Sequence, residues 1–147
     1  MAPRSGRIVL IRKLFSGKWL ERFVLQTVQK SVIAVSAEVG KELDFSYLIN
    51  PQIILPNGND FELDVIFHVN GSFYWIEAKT GDYQQHISKY SKLSKTLGLD
   101  YNHSIMVLTD IKPEKSNALT SLFSMTVFGL LQLETGLIDI IRKDINA

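Results

Sequence analysis

Residues 62–79 read ELDVIFHVNGSFYWIEAK, two alternating apolar runs on either side of Asn70-Gly71. Asn-Gly between such runs is the strongest short-range signal for a two-residue hairpin loop of type I′, whose central residues both need φ > 0. That loop fixes the register: Val69 faces Ser72, then Phe67 faces Tyr74, Val65 faces Ile76 and Leu63 faces Ala78. Side chains alternate across a strand, so Leu63, Val65, Phe67, Val69, Tyr74, Ile76 and Ala78 share one nearly apolar face, which predicts the core side of a sheet.

The other face follows from the same register. His68 opposes Phe73, Ile66 opposes Trp75, Asp64 opposes Glu77 and Glu62 opposes Lys79. Directly opposed side chains have Cβ atoms roughly 4.5–5.5 Å apart. Two carboxylates that close repel, so one of them keeps a proton or a divalent cation takes both as oxygen ligands. Lys79, two residues beyond Glu77 on the same face, places an ammonium where negative charge can develop. A solvated strand end is the bland alternative, and a Glu62–Lys79 cross-strand ion pair alone would be ordinary. The combination of paired acids, a lysine at +2 and a buried opposite face is what marks a candidate site.

Outward from the hairpin, the chain reads as one α/β domain of 147 residues. A helical stripe (Leu20, Val24, Thr27, Val28, Ser31 and Val35, with Phe23 at its edge) runs from Lys18 to about Val39 and stops at Gly40. Ile49–Leu55 carries Pro51, which suggests an edge or irregular strand. Residues 56–60 signal a loop, and Phe61–Val69 reads as one continuous strand. Asp82 is placed to cap a helix from Tyr83 to about Leu97, with Gly98 at its C′ position. Ser104–Thr109 reads as a buried strand, Pro113 starts a helix to about Phe123, and Met125–Phe128 reads as a short strand. Leu130–Ile145 reads as a final helix with Gly136 inside it, and its apolar residues suggest a subunit surface. A weak strand signal lies at Ile8–Ile11, beside a basic cluster of Arg4, Arg7, Arg12, Lys13 and Lys18.

Composition narrows the chemistry. The chain has no cysteine, which excludes disulfides, thiolate metal sites and a cysteine nucleophile. Its 16 Lys and Arg against 15 Asp and Glu leave a net charge of +1, so any basic surface must come from local clustering. No G-x-S-x-G, G-x-G-x-x-G or Walker loop is present. The apolar run at residues 8–11 is too short for a signal sequence, and Leu119–Leu133 is too interrupted to span a membrane. These features predict a soluble, cytoplasmic protein with no membrane partner.

The arrangement ELD…EAK, with Asp64 on one strand and Glu77-Ala78-Lys79 on its partner, resembles the PD-(D/E)xK nuclease superfamily. The order helix, strand, hairpin, helix, strand over residues 18–110 also resembles that family's core. The resemblance implies a restriction-endonuclease-like fold, a mixed central sheet flanked by helices. It implies Mg²⁺ or Mn²⁺ held by Asp64, Glu77 and the backbone carbonyl of Ala78, with Lys79 assisting catalysis. It further implies a role for Glu21, in GKWLERF, as an acid contributed by the preceding helix. More narrowly, GKWLE, the ELDV start and the EAKTG end resemble the nuclease domain of CRISPR-ancillary, ligand-activated nucleases, a role in defence. No sensing domain fits in this length, which suggests a free-standing relative or an excised domain. Two departures stand out: Leu63 occupies the motif's proline position, and His86 rather than a glutamine precedes Tyr90 by four.

The expected function is therefore metal-dependent hydrolysis of nucleic acid, DNA more than RNA. His86, Lys89, Lys92 and Lys95 lie on the helix after the site and form a candidate backbone-binding band. The alternative is a non-catalytic nucleic-acid- or protein-binding module on the same fold. A homodimer is compatible with both.

Overall fold

The computed structural model describes residues 19–80 and 83–147, without the side chain of Gln85. The Ile8–Ile11 strand, the basic N-terminal cluster and the Asp82 cap lie outside the described residues. The first described element, α1 (Trp19–Val39), buries Leu20, Val24, Thr27, Val28, Ser31, Val32 and Val35, the expected stripe with Val32 added. Its two buried hydroxyls are satisfied within the helix, Thr27 bonding the Phe23 carbonyl at 2.8 Å and Ser31 the Thr27 carbonyl at 2.7 Å. Gly40, at φ 70°, turns the chain out of the helix.

Seven strands follow: β1 (Phe45–Ile49), β2 (Gln52–Ile54), β3 (Asp60–Glu62), β4 (Val65–Val69), β5 (Ser72–Lys79), β6 (Ser104–Leu108) and β7 (Thr126–Gly129). Helix α2 (Gln84–Thr96) links β5 to β6, α3 (Pro113–Phe123) links β6 to β7, and a 3₁₀ turn (Leu130–Gln132) leads into α4 (Leu133–Ile145). The main sheet has the order β1-β4-β5-β6-β7. Its β1, β4 and β5 run antiparallel and its β5, β6 and β7 parallel, the expected mixed sheet. Strands β2 and β3 form a separate two-stranded hairpin.

The hairpin register is the predicted one from Val69↔Ser72 to Val65↔Ile76. Asn70 (φ 46°) and Gly71 (φ 89°) both take the left-handed backbone that a type I′ loop requires. Two cores flank the sheet. On one side α1 and α4 pack on Val65, Phe67, Val69, Tyr74 and Ile76; on the other, Trp75, Met106 and Leu108 meet Ile87, Tyr90 and Leu93 of α2.

Three expectations are corrected. The strand read as Phe61–Val69 breaks at Leu63–Asp64, and Leu63 joins the core under α2 instead of the face shared by Val65 and Phe67. Its N–H donates to the Pro51 carbonyl at 3.0 Å, so the residue leaves the β4–β5 ladder. Glu62 is consequently paired with Gln52, not with Lys79. The stretch around Pro51 is two strands, since Asn50 at φ 53° breaks it between β1 and β2. Helix α4 turns Leu133, Leu137 and Ile141 into the core against α1, so its apolar stripe is not an outer surface. Gly136 is required there: a Cβ would lie 2.3 Å from the Phe128 ring.

Candidate active site

Helix α2 crosses the sheet above β5 and closes the face that carries Trp75, Glu77 and Lys79. Asp64 sits at the strand break just before β4, and the break does not separate it from its predicted partner. The Asp64 N–H donates to Glu77 Oε1 at 2.7 Å, and the Ala78 N–H donates to Asp64 Oδ2 at 2.8 Å. The two acids thus bind each other's strand through backbone N–H groups, which pins both carboxylates against one edge of the hairpin. The Trp75 indole N–H donates to the same Glu77 Oε1 at 3.0 Å. These bonds engage one oxygen of each carboxylate and leave the second oxygen of each outside them.

Glu77 is 1% exposed. Burial, and after it the Asp64 charge, push its carboxyl up to about 8, against the pull of the Trp75 N–H, the Asp64 N–H and Lys79. Burial alone would pull Lys79 down, but the Tyr90 hydroxyl and the Glu77 and Asp64 charges outweigh it and hold the ammonium above its ordinary value. The Lys79 ammonium also lies 5.4 Å from the Tyr90 ring centroid. Tyr90 meets Trp75 edge-to-face, with centroids 5.7 Å apart, so one aromatic pair braces the carboxylate and the lysine together.

The donor set suits a small hard cation. A buried carboxylate and a half-buried one crowd one spot with a single lysine beside them, and an added divalent charge would relieve both the repulsion and the proton that Glu77 otherwise holds. Among the described residues no group of three or more His, Cys, Asp or Glu side chains converges. That is compatible with Mg²⁺, which keeps several waters and usually takes only one or two protein carboxylates.

Of the sequence candidates, Asp64, Glu77, Ala78 and Lys79 come together. Glu21 is half-buried in the first turn of α1, the helix that packs on the opposite face of the sheet. His86 is half-buried with its ring 6.2 Å from Tyr90. Lys89, Lys92 and Lys95 are exposed along α2. Trp75 and Tyr90 also join the site, and the sequence candidates did not include them. The signal for Trp75 is its place two residues before Glu77 on the same strand face. Phe73, on the same strand face, is 58% exposed.

Solved structures share this fold, two among them at equal TM-score. One is protein VC1899 from Vibrio cholerae, at a TM-score of 0.62 and 21% identity over 92% of this chain. The other is Can2 from Sulfobacillus thermosulfidooxidans, in complex with cyclic tetra-adenylate, at a TM-score of 0.62 and 21% identity over 88% of this chain. The chain spans about a third, 35%, of the length of each. No sequence family profile and no curated protein matches it. Among the described residues no helix is long and apolar enough to cross a membrane.

Proposed function

We infer that this domain is a metal-dependent nuclease of the PD-(D/E)xK type, hydrolysing phosphodiester bonds of DNA or RNA. The observation that carries the reading is the mutual clasp of Asp64 and Glu77 across the hairpin, with Lys79 beside it. A purely structural cluster would not need a buried glutamate set against a second acid and held protonated by it. In the proposed site Asp64, Glu77 and the Ala78 carbonyl would hold Mg²⁺ or Mn²⁺, which when bound would polarise the scissile phosphate and lower the pKa of an attacking water.

The remaining steps belong to the chain's own residues. Lys79 donates a charge-assisted hydrogen bond to the phosphate oxygen on which negative charge grows. Tyr90 fixes the direction of that ammonium, and its ring beside Trp75 keeps water from the buried side of the site. Trp75 and the Asp64 N–H hold Glu77 Oε1, and in this reading Oε2 is the oxygen left for the metal. The fold shared with Can2 supports the reading at the level of architecture.

The test is cleavage of labelled single-stranded, duplex and branched DNA and of RNA with Mg²⁺, Mn²⁺ or EDTA. Activity is expected with either metal, and loss in EDTA, Glu77→Ala and Lys79→Ala. Cleavage that persists in all three would defeat the assignment and favour a contaminating enzyme over this site.

A further inference from the structure

A ladder of alternating cations and rings leads away from the site. The Lys79 ammonium lies 5.4 Å from the Tyr90 centroid, the Lys89 ammonium 6.0 Å from Tyr90, and Lys89 again 5.3 Å from the centroid of Phe61. Phe61 belongs to β3, on the β2–β3 hairpin, which the break at Leu63–Asp64 turns away from the main sheet and onto the face covered by α2. Between this hairpin and α2 runs an open groove of about 450 Å³. Its floor is Leu55, Phe61 and Leu93, and its rim is Ser88, Lys89 and Lys92. An apolar, aromatic floor under a cationic rim complements a nucleotide, with a ring for the base and ammonium groups for the phosphate. Lys95 and His86 do not line this groove.

The hairpin is also tied to the catalytic centre. Asn50 donates its N–H to the Asp64 carbonyl at 2.9 Å, and the Leu63 N–H bonds Pro51 at the hairpin's base. A strand held in the groove therefore bears on the backbone of a proposed metal ligand.

We propose that the groove between the β2–β3 hairpin and α2 is the nucleotide subsite flanking the scissile phosphate, with one base stacked on Phe61 and the adjoining phosphate held by Lys89 and Lys92. Lys89 now lies over the Phe61 ring, an exposed and therefore weak cation–π contact that an arriving base displaces at small cost. The released ammonium then meets the phosphate. The inference rests on the nuclease reading for the identity of the ligand, but binding and cleavage are separable.

The experiment is fluorescence anisotropy of a labelled oligonucleotide in EDTA, with no metal and no turnover, across a salt series. Phe61→Leu keeps the apolar packing and loses the ring; it is expected to weaken binding about tenfold, as stacking of one base predicts. Phe61→Tyr restores binding to within about twofold of wild type, because the stacking platform returns. Lys89→Ala and Lys92→Ala each reduce the steepness of the salt dependence by about one contact, while Lys30→Ala, at an exposed lysine of α1, leaves it unchanged. Equal affinity for wild type and Phe61→Leu, a Lys30→Ala effect as large as that of Lys89→Ala, or no oligonucleotide binding at all would overturn the proposal. Phe61-dependent binding without metal-dependent cleavage would support the subsite and break the nuclease reading. Cleavage with an affinity indifferent to Phe61 would do the reverse.

Discussion

The two ends of β5 each hold acidic side chains, and they are balanced in opposite ways. Near its start, Tyr74 donates its hydroxyl to Asp144 of α4, and His103 bridges Asp144 at 2.8 Å and Asp100 at 2.6 Å. Each acid there has a donor, and the cluster ties the C-terminal helix to the sheet. Near its end, Asp64 and Glu77 share a buried corner with Lys79, and burial together with the Asp64 charge leaves Glu77 holding a proton up to about 8. The first cluster is closed by hydrogen bonds to partly exposed acids, Asp100 at 60% and Asp144 at 26%, and explains itself as structure. In the second the Glu77 carboxyl is buried against a second acid and keeps a proton for it, the condition that an arriving divalent cation relieves.

The largest expected contrast is in chemistry. Lys79→Met should lower cleavage by roughly 100- to 1,000-fold, the loss typical of one transition-state donor. Asp144→Asn, at the closed cluster, should leave the rate of the folded enzyme unchanged. Single-turnover rates on a common substrate check both.

Next comes the pH dependence of stability without metal. Unfolded, Glu77 keeps its proton only to the ordinary 4.5; folded, it keeps it to about 8. Between these values the folded chain binds more protons, so stability falls as pH rises through the window and levels off above it. The fall should amount to a few kcal/mol. Glu77→Gln should flatten it, making the variant more stable than wild type at pH 8 while inactive. Denaturant melts from pH 5 to 9 in EDTA check this; a wild-type profile no steeper than that of the variant would remove the proton from Glu77.

A smaller effect is expected at Trp75. Trp75→Phe keeps the ring against Tyr90 and removes the N–H on Glu77 Oε1, which should weaken Mn²⁺ affinity by roughly tenfold. The smallest is Tyr74→Phe at the closed end, which deletes one hydrogen bond and should cost about 1 kcal/mol of stability with metal affinity intact. A change in metal affinity from Tyr74→Phe would erase the distinction between the two ends.

Much of this was legible in the sequence, for reasons that differ by region. Asn70-Gly71 fixed the register of β4 and β5, and with it the meeting of Asp64 and Glu77. The helices α1 and α3 were legible from an apolar stripe and from Pro113. The strand β1 was not, because four of its five residues are exposed and no period-2 alternation marks it. The break at Leu63–Asp64 was hidden as well: apolar alternation runs through Leu63 without interruption, and only pairing with Pro51 and Asn50 diverts the chain. Nor could the His103 cluster be read locally, since its partner Asp144 lies 41 residues further on. What the sequence gives at the site is the pair of acids. That Glu77 is buried and braced by Trp75 depends on α2 lying over it.

The most direct test is a calorimetric titration of Mn²⁺ at pH 8 into wild type, Asp64→Asn, Glu77→Gln and Asp144→Asn. Wild type and Asp144→Asn are predicted to take up the metal with the same affinity, and the other two variants to show no saturable uptake. Equal uptake by all four proteins would contradict a metal centre between Asp64 and Glu77.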